Sequence, residues 1–400
     1  MEQMVGLTQL PLAGVKCKVL FTMTPGDGEA VGARMSRVTA EAWDEEPSAP
    51  RAPDGITKRR IVLPTIIFLA GFAAYGACVA GAVLAARLDV KIACAVLAGV
   101  FIANLAIIGH DAVHRSFTSL RWLNRFIGTA AFLPALHPYS RWEYHHNRVH
   151  HLYTAQIGVD NAFSPMTPQQ YRAATPGRRA YYRFMRSLGG QPFFYMVDIW
   201  LPKIFLPVPS EARTFETIDW IDLAVVYAWL AAFVFGLAAL VQAYTGADFG
   251  AALADAALYG FLIPFLVWNL FISFVTIVQH TGPKVRWTMP TGRPSTYAQK
   301  VRGTVHVGFP EILDWFFHRV MQHLAHHINP VIPLYALKDA EKKVIADATE
   351  IPVIERWTPL YHWRMTRDCK LYDPERECWC GFDFQPAGHG AVSTVAVSVH

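Results

Sequence analysis

Four long runs without a charged residue constrain the fold of this 400-residue chain more than any other feature. They contain 26, 18, 21 and 22 residues and are Ile61–Ala86, Ile92–Gly109, Leu223–Ala243 and Ala257–Val278. About 20 apolar residues cross a bilayer as a helix, so the sequence predicts four transmembrane spans at about residues 61–86, 92–109, 221–243 and 257–279. Core helices of a large soluble protein are the alternative, and four runs of this length argue against them.

The positions of Lys and Arg orient the predicted spans. The polar stretch before the first run ends in "KRR" at 58–60, and twelve Lys and Arg lie between the second and third runs. The connection at 87–91 holds two basic residues, and the one at 244–255 holds none. Because basic residues concentrate on the cytoplasmic side, we expect both termini and both long polar regions there, in a bacterial inner membrane. The net charge of +5 fits this topology and a lipid surface, and we expect no nucleic-acid partner.

The chain divides into three parts. Residues 1–57 lack a cleavable signal pattern, so we interpret them as disordered or as mis-annotated upstream sequence with Met35 as an alternative start. Residues 58–338 are predicted to form the membrane domain, and residues 339–400 a cytoplasmic C-terminal tail. The tail contains "CKLYDPERECWC", which lacks the paired CxxC spacing of a metal site, so its cysteines are interpreted as reduced thiols.

The 16 histidines carry the functional signal, because none occurs before His110 and most then come in bursts. Three clusters read "HDAVH" from His110, "HHNRVHH" from His145 and "HRVMQHLAHH" from His318, and His280 closely follows the fourth run. Residues three or four apart lie on one side of a helix, so each cluster fits a helical face. His110 and His280 end spans that face the cytoplasm in the predicted topology. All three clusters can therefore meet at one membrane face, with His280 beside them.

Clustered imidazoles are typical ligands of transition metals. Nitrogen-rich, carboxylate-poor ligand sets suit Fe, Cu, Zn or Ni and argue against Mg and Ca. Eight or nine neutral ligands exceed the needs of one four- to six-coordinate ion, so the clusters predict two metals close together. The remaining histidines are interpreted as hydrogen-bonded core or surface residues, namely His137, His306, His362, His389 and His400.

The predicted fold class is an all-α membrane protein, in which four transmembrane helices and a helical cytoplasmic cap hold a histidine-rich di-metal site.

At these motifs the sequence resembles the membrane fatty acid desaturases. The segments "HDAVH", "HNRVHH" and "HLAHH" match the three histidine boxes of that family. Trp142 stands four residues before His146, "QHTGP" closes the fourth run, and "INPVIPLYAL" follows the third box. These features are similar to the acyl-lipid branch, which introduces Δ12 or ω-6 double bonds. The resemblance covers about Pro64 to Leu337.

The resemblance implies the ligands of two iron ions. They would be His110, His114, His146, His150, His151, His280, His323, His326 and His327. His145 is the alternative to His146 in register, and the spacing from Trp142 favours His146. His318 stands where the branch often has another histidine, so it is a further candidate near the metals.

Polar neighbours of the histidines are candidates to orient the rings. Metal-bound imidazoles usually donate their second N–H to an acceptor outside the metal site. The candidates are Asp111, Glu143, Asp160, Asn161 and Asp314, and each has the alternative interpretation of a solvated polar residue. One departure from the acyl-CoA branch is Thr276, which stands where that branch has a water-bridging Asn four residues before the ninth histidine.

The same resemblance implies an O₂-dependent di-iron enzyme that introduces a double bond into a membrane-embedded fatty acyl chain. Side-chain acid–base or nucleophilic chemistry cannot attack an unactivated C–H bond, so iron with O₂ as co-substrate would supply the reaction. The chain has no haem-binding HPGG, no GxGxxG and no four-Cys cluster, so we expect an external ferredoxin or cytochrome as electron donor. The other expected partners are a fatty acyl lipid substrate and membrane lipids.

Two alternative functions remain open at the level of sequence. Hydroxylases, epoxygenases, acetylenases and carotenoid oxygenases share the histidine boxes and differ in their product. A histidine-rich metal transporter is more remote, because transporters place polar ligands near the bilayer midplane and these clusters lie at one face.

For the acyl chain, we expect residues 126–136, with Gly109 and Gly128, to form the wall of a passage, unless that stretch is an amphipathic surface helix. The basic and aromatic stretch Pro176–Arg186 suits anionic lipid headgroups.

Overall fold

The computed structural model describes residues 57–387. The predictions made for residues 1–56, and for His389 and His400, lie outside these residues. In chain order the α-helices are α1 (Val62–Leu84), α2 (Leu88–Val113), α3 (Arg121–Phe132), α4 (Tyr139–Glu143), α5 (Pro168–Ala173), α6 (Pro176–Met185), α7 (Pro209–Ala212), α8 (Thr217–Thr245), α9 (Phe249–Asp255), α10 (Ile263–His280), α11 (Tyr297–Gly303), α12 (Glu311–Phe316), α13 (His323–Ile328), α14 (Leu337–Asp347) and α15 (Pro359–Asp368). Three segments are π-helical: Tyr144–His150, Tyr195–Phe205 and Ala256–Leu262. Gln191–Phe193 and Leu334–Ala336 are short 3₁₀ helices.

Four helical segments are long and apolar enough to cross a membrane. They are Val62–Leu84, Leu88–Val113, Thr217–Thr245 and Phe249–His280, the last built from α9, a π-helical turn and α10. The predicted number and order of spans are confirmed. Several helix ends lie a few residues from the predicted ones, because a helix continues past the last uncharged residue when its polar groups find partners at the surface.

The turn between the third and fourth spans is set by two residues. Gly246 ends α8 with a φ of 71°, a left-handed conformation that favours glycine. Asp248 then accepts the backbone N–H groups of Gly250 and Ala251 at 2.9 and 3.1 Å and begins α9. This cap explains why the fourth span begins at Phe249, ahead of the uncharged run that predicted it.

The charged residue inside the fourth span is paired. Asp255 forms an ion pair with Lys91, near the beginning of α2. A helix rises 1.5 Å per residue, so this pair lies about 28 Å along α2 from His110. It joins two spans at the end of the bundle that is distant from the histidines.

The spanning helices differ in how much apolar surface they leave exposed. The most apolar part of α8 is only 17% buried, and large side chains such as Val225, Phe235 and Leu240 point outward. The corresponding part of α2 is 61% buried, since it packs against α1, α3 and α10. Exposed apolar faces of this size suit contact with lipid tails.

Close packing of α2 against α10 depends on Gly99. A Cβ atom added at Gly99 would lie 2.6 Å from the carbonyl oxygen of Pro264 and 2.5 Å from Val267 Cβ. Small residues at helix interfaces allow backbones to approach closely in membranes, where dispersion contacts drive association. His110 and His280 lie in the last turns of these two helices, about 16 Å along α2 and about 20 Å along α10 from this contact.

The cap is mostly helical but contains two small sheets. Strand β1 (Val305–Gly308) pairs in parallel with β2 (Val353–Arg356), with Val305 opposite Val353. Strand β3 (Leu371–Asp373) pairs antiparallel with β4 (Cys378–Cys380). The buried Trp379 donates from Nε1 to the carbonyl of Val285 at 2.9 Å, which anchors the hairpin on the cap. The predicted fold class is confirmed in its main features, with these sheets as an addition.

Residues beyond the predicted domain boundary at 338 pack onto the same core. Ala340, Val353 and Met365 belong to the main buried cluster, together with residues of the spans. The division between membrane domain and C-terminal tail stays a prediction.

Burial raises the pKa of the Cys380 thiol in β4 to about 11, which keeps this thiol neutral at physiological pH.

We expect Gly99→Ala to destabilise the protein by about 1–3 kcal/mol, because the added methyl group would overlap Pro264 and Val267. Gly76→Ala is the matched control, since no described atom lies within 4 Å of the added Cβ. Alanine has the better helix propensity, so this control should be neutral or stabilising by up to about 1 kcal/mol. Thermal unfolding in one detergent checks both variants, and an unchanged midpoint for Gly99→Ala would contradict the close contact.

Candidate metal centre

The ends of two spanning helices and two cap segments carry the nine predicted ligands. His110 lies in the last turn of α2, with His114 directly after it, and His280 is the last residue of α10. His146 and His150 lie on the π-helical segment Tyr144–His150, and His151 follows it. The third cluster lies on α13, which carries His323, His326 and His327.

The second cluster is π-helical, which differs from the α-helical face predicted from its spacing. The backbone N–H of His151 donates to the carbonyl of His146 at 2.9 Å, five residues earlier. A π-helical turn contains more residues than an α-helical turn, so residues four and five apart can point the same way. The wider turn brings His146, His150 and His151 to one side, which an α-helix would not do for all three.

The structure brings all nine side chains together in two groups. The first group is His110, His114, His146, His151 and His326, and the second is His150, His280, His323 and His327. Within each group, one ring nitrogen from every histidine lies within 4.8 Å of those of the others. The second and third clusters contribute to both groups, so neither group can form without both of these cap segments.

The ring nitrogens inside each group lie close to one another. Nε2 of His151 is 3.1 Å from Nε2 of His146 and 3.0 Å from Nε2 of His326. In the second group, Nε2 of His323 is 2.8 Å from Nε2 of His280. The groups adjoin where the rings of His151 and His327 stack with their centroids 4.3 Å apart.

Hydrogen bonds outside the groups orient three of the rings. Nδ1 of His150 lies 2.7 Å from Asp160 Oδ1, and Nδ1 of His280 donates to the carbonyl of Gly303 at 3.1 Å. Nδ1 of His327 lies 3.1 Å from the hydroxyl of Thr154. A proton held on Nδ1 leaves the lone pair of Nε2 free to face inward, as in metal-bound histidines.

Unpartnered nitrogens support a metal-binding role. Among the residues that the structure describes, Nε2 of His114 and Nε2 of His327 are buried and have no hydrogen-bond partner. A buried polar atom without a partner costs free energy, and a bound cation would remove that cost. The donor set, made of imidazole nitrogens alone, fits transition metals.

Burial keeps the rings neutral. It lowers the pKa of six histidines outside the spans well below the ordinary value, and the neighbouring rings lower it further; these are His114, His146, His151, His323, His326 and His327. A metal ligand must be the neutral imidazole, so these rings are ready to bind at neutral pH without first losing a proton.

Asp160 is the acidic residue that contacts a ring of the site. Burial alone would raise the pKa of its carboxyl, but the adjacent His150 ring and the backbone N–H of Ala155 hold the pKa below its usual value. Its Oδ1 also accepts from the N–H of Ala162 at 2.9 Å. The carboxylate is therefore fixed on several sides and can hold the His150 ring in one orientation.

The other predicted site residues lie outside both histidine groups. His145 Nε2 accepts from Arg141 Nη2 at 2.9 Å, and Asn161 accepts from Lys203 Nζ at 2.7 Å. Asp111 accepts from the hydroxyl of Ser116 at 2.5 Å and from the N–H of Leu334 at 3.2 Å. The four remaining candidates have other surroundings. His318 is half-buried, and its Nε2 is fully buried, whereas the Asp314 carboxylate accepts hydrogen bonds from Arg319 and Gln322. The Glu143 carboxylate lies 3.7 Å from Arg115, and Thr276 lines the pocket described below.

Sequence reasoning missed Glu341. Its buried carboxylate accepts the backbone N–H of Ala325 in α13 at 2.5 Å and contacts Nδ1 of His306 at 2.8 Å. Through Ala325 it holds the helix that contributes to both histidine groups. No sequence pattern indicates this role, because Glu341 lies outside every histidine motif.

An apolar pocket reaches the histidines from between α2, α10 and the π-helical segment Tyr195–Phe205. Tyr195, Ile199, Trp268, Ile272 and Val275 line its walls. The histidines that reach it are His110, His145, His146, His150, His280 and His323. The passage wall expected from 126–136 does not line this pocket, because Phe132 of α3 packs against Gly109 on another side of α2.

Comparison with known proteins agrees with this geometry. The fatty acid desaturase family model matches residues 90–358, more than half of the chain. The chain belongs to the fatty acid desaturase family. It is therefore an oxidoreductase enzyme, as the histidine motifs predicted, and the predicted family is confirmed.

Curated relatives include bacterial and plant desaturases. The chain is 29% identical over 292 residues to the sn-1 oleoyl-lipid 12-desaturase of Synechocystis sp., covering 69% of this chain and 74% of the relative. It is 30% identical over 280 residues to the enzyme of that name from Picosynechococcus sp., covering 70% and 76%. It is 27% identical over 295 residues to the chloroplastic omega-6 fatty acid desaturase of Arabidopsis thaliana, covering 71% and 60%.

Adjacent histidines provide a test of the metal groups. We expect His146→Ala to lose roughly half of the bound metal, because it removes a member of the first group only. His145→Ala should retain the metal content of the wild type, since its ring lies outside both groups. Elemental analysis of detergent-purified protein measures this, and metal loss in His145→Ala instead would show that the register is wrong.

The role of Asp160 can be tested separately. We expect Asp160→Asn to weaken metal binding by about 10–100-fold, as loss of a ring-orienting carboxylate typically does. Asp314→Asn is the control, because Asp314 is equally buried but contacts Arg319 and Gln322. Competition with a chelator measures both affinities, and equal losses in the two variants would contradict a specific role for Asp160.

Proposed function

We propose that this chain is an O₂-dependent di-iron desaturase that introduces a double bond into a fatty acyl chain of a membrane lipid. The observation that carries this proposal is the position of the two histidine groups at one end of an apolar pocket. A membrane-embedded chain of carbon atoms is the kind of substrate that such a pocket suits.

The proposed metal ligands follow the two groups. One iron would be held by His110, His114, His146, His151 and His326, and the other by His150, His280, His323 and His327. Two bound iron ions would supply the O₂ chemistry that acid–base side chains cannot perform on an unactivated C–H bond. The residues of the chain bind and orient the acyl chain, hold the rings and exclude water.

Rings around the pocket position the substrate and keep the site dry. Trp142 stacks on His146, with ring centroids 5.4 Å apart and planes inclined by 16°. Trp142 also contacts His137, with centroids 5.1 Å apart, and Tyr195 and Trp268 contact the same His137 ring at centroid distances of 5.8 and 5.9 Å. Such an aromatic wall restricts where an acyl chain can lie, so one pair of adjacent carbons would be held near the metals.

We further propose Δ12 or ω-6 regiochemistry. Support comes from the names of the relatives, which act on oleoyl-lipid at position 12 or are omega-6 desaturases. A glycerolipid is the corresponding acyl carrier.

The proposed topology places both termini and the metal centre on the cytoplasmic side of a bacterial inner membrane. The concentration of Lys and Arg in the two polar regions supports this orientation. The two electrons for each double bond would come from an external ferredoxin or cytochrome in the cytoplasm.

Lipid profiling tests the proposal. In a bacterial host whose lipids contain monoenes but no dienes, we expect the wild-type chain to produce a diene only in the presence of O₂. His146→Ala, expressed to the same level, should produce none. Mass spectrometry of the lipids measures the product and its double-bond position.

Labelled O₂ separates desaturation from the reactions of related enzymes. A desaturase leaves no labelled oxygen in the lipid. Labelled oxygen in the acyl chain would show a hydroxylase or epoxygenase instead, and an unchanged lipid profile would contradict the proposal as a whole.

A further inference from the structure

We propose that a groove between α5, α6 and the segment that follows β4 is the docking surface for an acidic one-electron carrier protein. Tyr171, Arg172, Arg179, Arg183, Phe382 and Phe384 line this basic groove. The inference rests on the proposed function, in which each double bond consumes one O₂, two acyl hydrogens, two protons and two external electrons and yields two waters. A carrier protein must therefore contact the chain at some surface.

The charge of the groove favours an acidic partner. Residues 161–197 contain five Arg and no Asp or Glu. Among the described residues, the guanidinium groups of Arg172, Arg179 and Arg183 form no ion pair with a carboxylate, and the groove that they line has a surplus of positive charge. The exposed Asp383, whose Oδ1 accepts the N–H of Gln385 at 3.2 Å, is one carboxylate beside three guanidinium groups.

The guanidinium groups are held in place before any partner binds. Arg172 lies over the ring of Phe384 at 4.2 Å, and Arg183 lies over the ring of Phe382 at 4.7 Å. Arg183 Nε also donates to the hydroxyl of Tyr171 at 2.5 Å. Planar, fixed guanidinium groups match carboxylates at fixed positions. This arrangement suits the surface of a folded acidic protein better than mobile lipid headgroups.

A short series of contacts connects the groove to the second histidine group. Arg186, which follows α6, stacks on Phe163 at 3.8 Å and donates from Nη2 to its carbonyl at 2.6 Å. The neighbouring Ala162 donates its N–H to Asp160, and Asp160 contacts His150 at 2.7 Å. These contacts connect α6, which forms one side of the groove, to the loop that orients a proposed metal ligand.

The test uses binding, which does not require turnover. The probe is a small acidic [2Fe–2S] ferredoxin in its oxidised form, titrated onto the full chain in neutral nanodiscs at low and at physiological salt. The groove variant is Arg179→Glu/Arg183→Glu. The matched control is Arg293→Glu/Arg364→Glu, which changes the net charge equally at two exposed arginines outside the groove.

We expect the wild type to bind the ferredoxin with an affinity that falls as salt rises. The groove variant should bind at least ten-fold more weakly, and the control should stay within about two-fold. Arg172→Glu, which disturbs only the stack on Phe384, should show a smaller loss in the same direction. It replaces the double variant as the test if that variant unfolds. Absence of saturable wild-type binding, or equal losses in groove variant and control, would overturn the proposal.

An anionic membrane is the competing partner for these arginines. It would be indicated if the groove variant bound ferredoxin like the wild type but lost a thermal stabilisation that the wild type gains in phosphatidylglycerol nanodiscs. That outcome also overturns the docking proposal. Lipid profiling distinguishes the two proposals, because normal diene production with unaffected binding refutes docking alone. Groove-dependent binding without any diene refutes the proposed function and leaves the docking surface standing.

Discussion

The structure depends on crowding nine neutral imidazoles into one buried volume. Charged rings at these distances would repel one another, so the site requires burial that keeps them neutral and fixed acceptors that decide where each proton lies. Apolar helices supply the burial, and Asp160, Thr154 and the carbonyl of Gly303 supply acceptors. The inward-facing nitrogens then have few partners except one another, which is the condition that a bound cation relieves.

The two groups are geometrically coupled through shared segments. The π-helical segment Tyr144–His150 and α13 each contribute to both, whereas α2 contributes to one and α10 to the other. A displacement of α13 would therefore change both groups together. Glu341 restrains that displacement from outside, because its carboxylate binds a backbone N–H of α13 and no ring of either histidine group. Membrane packing at Gly99 acts similarly on the two spanning helices.

Features with a strong signal in residue type could be predicted from the sequence. The four spans followed from uncharged runs. Histidine spacing identified the three clusters, the resemblance to the histidine boxes implied the nine ligands, and the structure places these nine in two groups. The π-helical turn could not be predicted, since the spacing of four residues between His146 and His150 also fits an α-helix. The carbonyl of Gly303 and the carboxylate of Glu341 gave no signal, because a contact across tens of residues leaves no local pattern. The pocket wall was assigned to 126–136 rather than to Tyr195–Phe205, since apolar composition alone does not say which segments face each other.

The order of the histidines along the chain has a consequence for biogenesis. The last cluster lies more than 200 residues after His110, and all four spans precede it. At a synthesis rate of about 5–20 residues per second, roughly 10–40 seconds separate the first of these residues from the last. Both groups need α13, so neither is complete while the spans are being inserted into the bilayer. Metal loading would then be a late, post-insertional event, and a nascent chain truncated before α13 would reach the membrane without a complete metal centre.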